Sequence, residues 1–162
     1  MDGPSYLTLL LFIGACMAVA TSGMYFRPGD WYQRLEKPSW QPPGWLFGPV
    51  WMILYAMIAV SGWLVWAEAG WAGAALPLAI YALQLLLNWL WSALFFGLKR
   101  IDLALAEMAL LWISIVAMIV AFYPIHAGAA LMMLPYLAWV SFAMLLNFTI
   151  WRLNGARGVA LS

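Results

Sequence analysis

Charge is scarce in this chain. Only 8% of its 162 residues are Asp, Glu, Lys or Arg, against about 25% in an ordinary soluble domain. That is too little polar surface to cover a water-soluble globule, and the 67% hydrophobic content agrees. A net charge of +1 points to neither nucleic acid nor an acidic partner. Cys16 is the sole cysteine, which excludes an internal disulfide and any multi-cysteine metal site. His126 is the sole histidine, so a histidine metal centre or a Ser-His-Asp triad has no material to form from. No Walker motif, dinucleotide fingerprint or metal-ligand cluster occurs, so no metal site and no required cofactor are expected. No nucleophile has a basic partner deep in an apolar run. No internal repeat stands out, which disfavours an inverted-repeat transporter.

What the chain has instead is five long apolar runs, over residues 6–26, 46–67, 72–98, 101–123 and 127–152. Each reaches the roughly 20 residues that a helix needs to cross a bilayer. They are far longer than the roughly 10-residue strands of a membrane barrel, and lipid leaves no backbone group unpaired. The fold class that follows is all-α integral membrane protein, a single bundle of five transmembrane helices over 1–162. Pro49 is expected in the first turn of the second span and Pro135 as a kink inside the fifth. Ile13-Gly14-Ala15-Cys16 and Ala18-Val19-Ala20 look a little like processing sites. The five residues before the first run carry no basic residue, however, so that run reads as a retained helix. Its Gly14, Ala18 and Ser22 form a small-residue stripe suited to close packing, as do Ala75, Ala79 and Ala82 on the third span, where a homodimer contact is one use.

Every basic residue falls on one side. Arg27, Arg34 and Lys37 follow the first span, Lys99 and Arg100 the third, Arg152 and Arg157 the fifth. The positive-inside rule puts those loops and the C-terminus in the cytoplasm and the N-terminus outside, and it favours a bacterial inner membrane.

Polar and aromatic side chains recur at helical spacing, which places them on shared faces. The third span offers Gln84, Asn88, Trp91 and Phe95; the second Trp51 and Tyr55; the fifth Trp139, Ala143 and Asn147. Side chains of this kind in lipid turn toward protein or a cavity. A pocket and plain helix packing both account for Trp51, Trp91 and Trp139. Gln84, Asn88 and Asn147 suit either a site or bonds between helices. Segment 27–44 carries Arg34, Lys37, Trp40 and four prolines, so it is stiff and placed to act as a lid. Trp31, Trp40, Trp45 and Trp151, and on the other face Trp63, Trp66 and Trp71, suit interfacial anchors. Glu107 lies inside the fourth span and reads two ways: a polar contact or proton-linked switch near a pocket, or a structural hydrogen bond to Gln84 or a loop backbone. Asp102 suits a helix start, and His126 a short surface loop. The chemistry on offer is apolar surface, indole faces and a few amides, which describes a site for a large flat or sterol-like molecule.

The run Trp31-Tyr32, Leu35, Lys37-Pro38, Trp40, Pro42-Pro43, Trp45 and Trp51 resembles the translocator-protein family. That family includes the tryptophan-rich sensory proteins of bacteria and the mitochondrial peripheral-type benzodiazepine receptor. Gln84, Asn88, Trp91 and Phe95-Phe96-Gly97 extend the likeness, as do Pro135-Tyr136-Leu137, Trp139, Leu146-Asn147 and Trp151-Arg152. The resemblance implies a five-helix bundle, often dimeric, whose first loop folds over a pocket for porphyrins, cholesterol and synthetic isoquinoline-carboxamide or benzodiazepine ligands. Family ligand contacts carried over fall on Tyr32, Trp51, Asn88, Trp91, Trp139 and Ala143, with Tyr55 at the position of a family aromatic. The sterol-associated stretch corresponds to Leu146 to Arg152. Its central tyrosine is Phe148 here, and the pattern is a weak one in any case. Family members also occur in outer membranes.

Three readings of function follow. The first is a membrane receptor or transporter-like protein for tetrapyrroles, with porphyrin or haem as ligand and lipid around it. Asn88 would bond a polar substituent, and Arg34 or Lys37 would attract a propionate. The second is a light-dependent porphyrin-degrading enzyme in which Trp51 and Trp139 donate electrons. The third is an oligomeric scaffold without cargo.

Overall fold

The computed structural model describes residues 6–156 and 158. The N-terminal segment 1–5 and Arg157, both used in the sequence reading, lie outside the described residues. Seven α-helices follow in order: α1 (Tyr6–Tyr25), α2 (Asp30–Arg34), α3 (Gly44–Gly73), α4 (Ala75–Ser92), α5 (Ile101–Phe122), α6 (Ala127–Leu131) and α7 (Leu134–Asn154). A π-helical turn, Ala93–Gly97, extends α4. No strand occurs among the described residues. Five helical stretches are long and apolar enough to cross a membrane: Tyr6–Tyr25, Gly44–Gly73, Ala75–Gly97, Ile101–Phe122 and Ala127–Asn154. The chain is an all-α, multi-pass membrane protein.

The departures from the sequence reading have local causes. The second span starts at Gly44, behind Pro43, so Pro49 lies past the first turn and removes one bond to the carbonyl four residues back. Its far end runs to Gly73 through Gly70, whose φ of +67° breaks the helical path before α4 and suits a residue without a Cβ. The fifth span is broken rather than kinked. α6 ends at Leu131, a turn intervenes, and Pro135 enters the first turn of α7, where its missing N–H costs nothing. His126 is more than loop surface: its Nδ1 accepts from the Ala129 N–H at 3.0 Å and caps α6.

The core contains Phe12, Cys16, Ile58, Val65, Tyr81, Ile115, Met118, Phe122, Met133 and Tyr136. On α1 the inward residues are Thr8, Phe12, Cys16, Val19 and Ser22. Gly14 and Ala18 are exposed, so the proposed packing stripe keeps only Ser22, which donates to Ser92 Oγ at 3.3 Å. Ala75, Ala79 and Ala82 also face outward.

α1, α3 and α4 crowd together at Gly62 of α3. A Cβ there would lie 2.8 Å from Tyr81 Cε2 of α4 and 2.9 Å from the Phe12 ring of α1. Those two rings meet edge to face at 5.5 Å. The Gly62→Ala variant is expected to wedge this junction and lose about 1–3 kcal/mol. Thermal unfolding in detergent checks it; an unchanged midpoint would show that the two rings give way freely.

Candidate functional site

A void of about 260 Å³ lies under the segment that joins α1 to α3. Gly23 of α1 and Phe26, Pro28, Tyr32 and Gln41 of the segment line it from above. Gly44, Phe47 and Trp51 of α3, Trp91 and Ser92 of α4, and Phe95 and Phe96 of the π turn close its sides. Ala143, Leu146, Asn147 and Ile150 of α7 complete the wall. Spacings of three and four put the contributors from α3 on one face of that helix, and those from α7 on one face of theirs. The π turn brings the adjacent Phe95 and Phe96 to the same wall, their rings 4.9 Å apart; such turns are frequent where a helix serves a site. Trp91 stacks on Phe95 at 5.1 Å.

The segment is a lid that is bolted down. Leu35 is buried beside Phe95, Ile101, Leu146 and Ile150. Trp31 and Tyr32 meet Phe95 edge-on at 5.8 and 6.1 Å, which makes Trp31 part of the lid packing and not only an interfacial anchor. Trp40, 45% exposed, reaches Phe142 of α7 at 5.9 Å. The bolt is Asn154. Its Oδ1 accepts from the Glu36 N–H at 2.8 Å, while its Nδ2 donates to the Glu36 carbonyl at 2.8 Å and to the Ile150 carbonyl at 2.9 Å. Two hydrogen bonds and a buried leucine make lifting the lid cost about 3–5 kcal/mol. Lys37 donates to the carbonyls of Gln33 and Leu35, both at 3.2 Å, and sits 4.7 Å above the Tyr32 ring. Tyr32 accepts from Gln41 Nε2 at 3.2 Å. Burial raises the pKa of its phenol above the ordinary value, with the Gln41 bond pulling the other way. Arg34 is exposed.

Behind Trp51 runs a buried hydrogen-bond chain. Tyr55 donates to Asn88 Oδ1 at 2.7 Å, Asn88 Nδ2 donates to the Tyr136 hydroxyl at 2.9 Å, and Tyr136 donates to Gln84 Oε1 at 3.0 Å. Trp51 stacks on Tyr55 at 5.3 Å and meets Tyr136 edge-on at 6.2 Å. Thus Tyr32, Trp51, Trp91, Ala143 and Asn147 line the void, whereas Tyr55, Gln84 and Asn88 stand behind its wall. Trp139 meets Phe47 at 5.6 Å but faces a second, outer groove. Leu146 points inward while Phe148 and Arg152 are exposed, so the sterol-associated stretch is split between two faces.

Sequence reasoning passed over Tyr136 and Asn154 as functional residues. Both fall on the Ala143–Asn147 face of α7, seven residues before and after its ends, so extending that stripe finds them. Glu107 corrects the structural expectation. Neither carboxylate oxygen has a hydrogen-bond partner among the described residues, and Gln84 bonds Tyr136 instead. Trp63 and Trp66 bury their Nε1 atoms, again with no partner among the described residues, so they do not present those groups at the interface as anchors would. Around the void itself, Trp91 Nε1, Gln41 Oε1 and both amide atoms of Asn147 are buried without a partner among the described residues. No metal-binding cluster occurs among them either.

The Asn154→Ala variant is expected to release Glu36 from α7 and lower stability by about 2 kcal/mol. Hydrogen exchange at the Glu36 amide should rise well above that of core amides. Unchanged protection there would show that Leu35 alone holds the lid.

The comparisons with known proteins agree over the whole bundle. Residues 8–152 match the TspO/MBR family model. The chain is 46% identical over 153 residues to the tryptophan-rich protein TspO of Chlorobaculum tepidum, covering 91% of this chain and 96% of that one. It is 40% identical over 157 residues to the tryptophan-rich sensory protein of Cereibacter sphaeroides, covering 97% and 96%. The translocator protein of Homo sapiens is 44% identical over 131 residues, with 79% of this chain and 78% of that one covered. A five-span bundle with this lid, this aromatic wall and these relatives is a member of the TspO/MBR family of membrane proteins.

Proposed function

We propose that the protein is a membrane receptor or carrier for tetrapyrroles, held flat in the cavity beneath the lid. The observation that carries this reading is Asn147. Asn147 is 2% exposed, lines a void walled mainly by aromatic and apolar side chains, and has no hydrogen-bond partner for either amide atom among the described residues. An unpaired buried amide costs about 1–3 kcal/mol, a penalty that a ligand with a donor or acceptor at its edge removes. Trp91 Nε1 and Gln41 Oε1 offer a further donor and acceptor on the same wall. Trp51, Trp91, Phe95 and Phe96 supply the faces on which a macrocycle stacks. The remaining walls are apolar enough for a sterol or a benzodiazepine-type molecule to occupy the same space. Arg34 and Lys37 put positive charge on the lid, where it attracts a porphyrin's propionates. The basic loops support placing the lid side in the cytoplasm and the protein in a bacterial inner membrane. The outward stripe Ala75, Ala79 and Ala82 supports pairing of two copies.

Asn147→Leu separates site from scaffold. Removing an unpaired amide is expected to raise the stability of the ligand-free protein by about 1–3 kcal/mol. The same change is expected to weaken protoporphyrin IX binding about tenfold, the loss of one good hydrogen bond. Trp51→Phe is expected to weaken it as well. Titration of porphyrin fluorescence against each variant checks this; equal affinity in all of them would defeat the proposal.

A further inference from the structure

We infer that the ligand enters this cavity sideways from the bilayer, between α3 and α7, through a gate formed by Phe47 and Trp139. The inference rests on the ligand-binding reading above.

The cavity's 260 Å³ lies below the roughly 300–1,000 Å³ of ordinary ligand sites. A porphyrin-sized molecule therefore needs part of the wall to move. The lid is a poor choice, because Asn154 grips both backbone groups of Glu36 and Leu35 is buried beneath it. The α3–α7 seam is different. α3 packs on α1 and α6, and α5 packs on α7, but α3 and α7 make few close backbone contacts among the described residues. At the far end Ser61 donates to the Ala129 carbonyl at 2.9 Å and fixes α3 to α6. Toward the lid, ring contacts bridge the two helices: Phe47 with Trp139 at 5.6 Å, and Trp51 with Tyr136 at 6.2 Å.

Outside that bridge lies an apolar groove of about 460 Å³ whose wall includes Val50, Ile53, Met57, Pro135, Trp139 and Phe142. Phe47 lines the inner void and Trp139 the outer groove. Neighbouring residues divide in the same way: Trp51 and Ala143 face in, Val50 and Phe142 face out. The wall is one side chain thick. A flat apolar molecule dissolved in lipid seats in the groove, and rotation of the two rings joins groove to cavity. Parting them in the bilayer exposes apolar surface only to acyl chains, which are as apolar as the side chains that separate.

The test uses full-length protein in nanodiscs and protoporphyrin IX delivered from lipid vesicles, followed by stopped-flow porphyrin fluorescence. In a Cys16→Ser background, Val50→Cys and Ala138→Cys are joined across the groove by a reducible bifunctional thiol reagent. Cross-linking is expected to slow association about tenfold or more, as for a blocked conformational step, and reductant to restore it. The uncross-linked double variant serves as the folding control, and Asn154→Ala is expected to leave the rate unchanged. If the cross-linked protein loads at the uncross-linked rate and Asn154→Ala loads faster, entry is under the lid and the gate is wrong. If even the parent protein shows no saturable binding, the receptor reading fails and the gate with it.

Discussion

Three of the five spans are tied at one side chain, Asn88. Its carbonyl accepts from Tyr55 of α3, and its amide donates to Tyr136 of α7, which bonds back to Gln84 of α4. In water such bonds would be minor beside the burial of apolar surface. In a bilayer, lipid tails compete for that surface on equal terms, and association falls to packing and interhelical hydrogen bonds of about 0.6–2 kcal/mol each. The node also sets the site. Trp51 stacks on Tyr55 and leans on Tyr136, so the aromatic wall inherits its position from an amide that never touches the void.

The two boundaries of the cavity are built on opposite principles. The lid faces water and is fixed by polar bonds and a buried leucine. Opening it exposes Leu35 to solvent, where burial is worth about 1.5–3 kcal/mol. The α3–α7 seam faces lipid, and an aromatic pair such as Phe47 with Trp139 contributes about 0.5–1.5 kcal/mol beyond its buried area. The strong closure therefore lies on the water side of the cavity, and the weak one on the apolar side.

Much of this was legible in the sequence. Run length and lack of charge located five spans, because the bilayer imposes both on any helix that crosses it. The stiffness of the segment over the void was legible from its prolines. What escaped was which polar residue spends its bonds on protein and which does not. Asn88 and Asn147 look alike in sequence, each on an inward stripe, yet one is fully engaged and the other unpartnered among the described residues. Periodicity gives the face of a residue but not the partner across it. Tyr136 and Asn154 were invisible as partners for the same reason. The α6–α7 break was readable only in part: Pro135 signalled a disturbance, but the capping by His126 that lets a separate short helix form depends on a three-dimensional turn.

The contrast between Asn88 and Asn147 bears on what the bundle is for. A structural amide in lipid has every reason to acquire a partner, since leaving it unpaired costs about 1–3 kcal/mol. Asn88 has one at each end. Asn147, on the neighbouring wall, has none among the described residues, and neither do the indole N–H of Trp91 and the carbonyl of Gln41 that share its void. A leucine at position 147 would fill space without that cost. Two donors and two acceptors left open around one aromatic chamber suit a guest that carries both kinds of group at its rim and a flat apolar face between them.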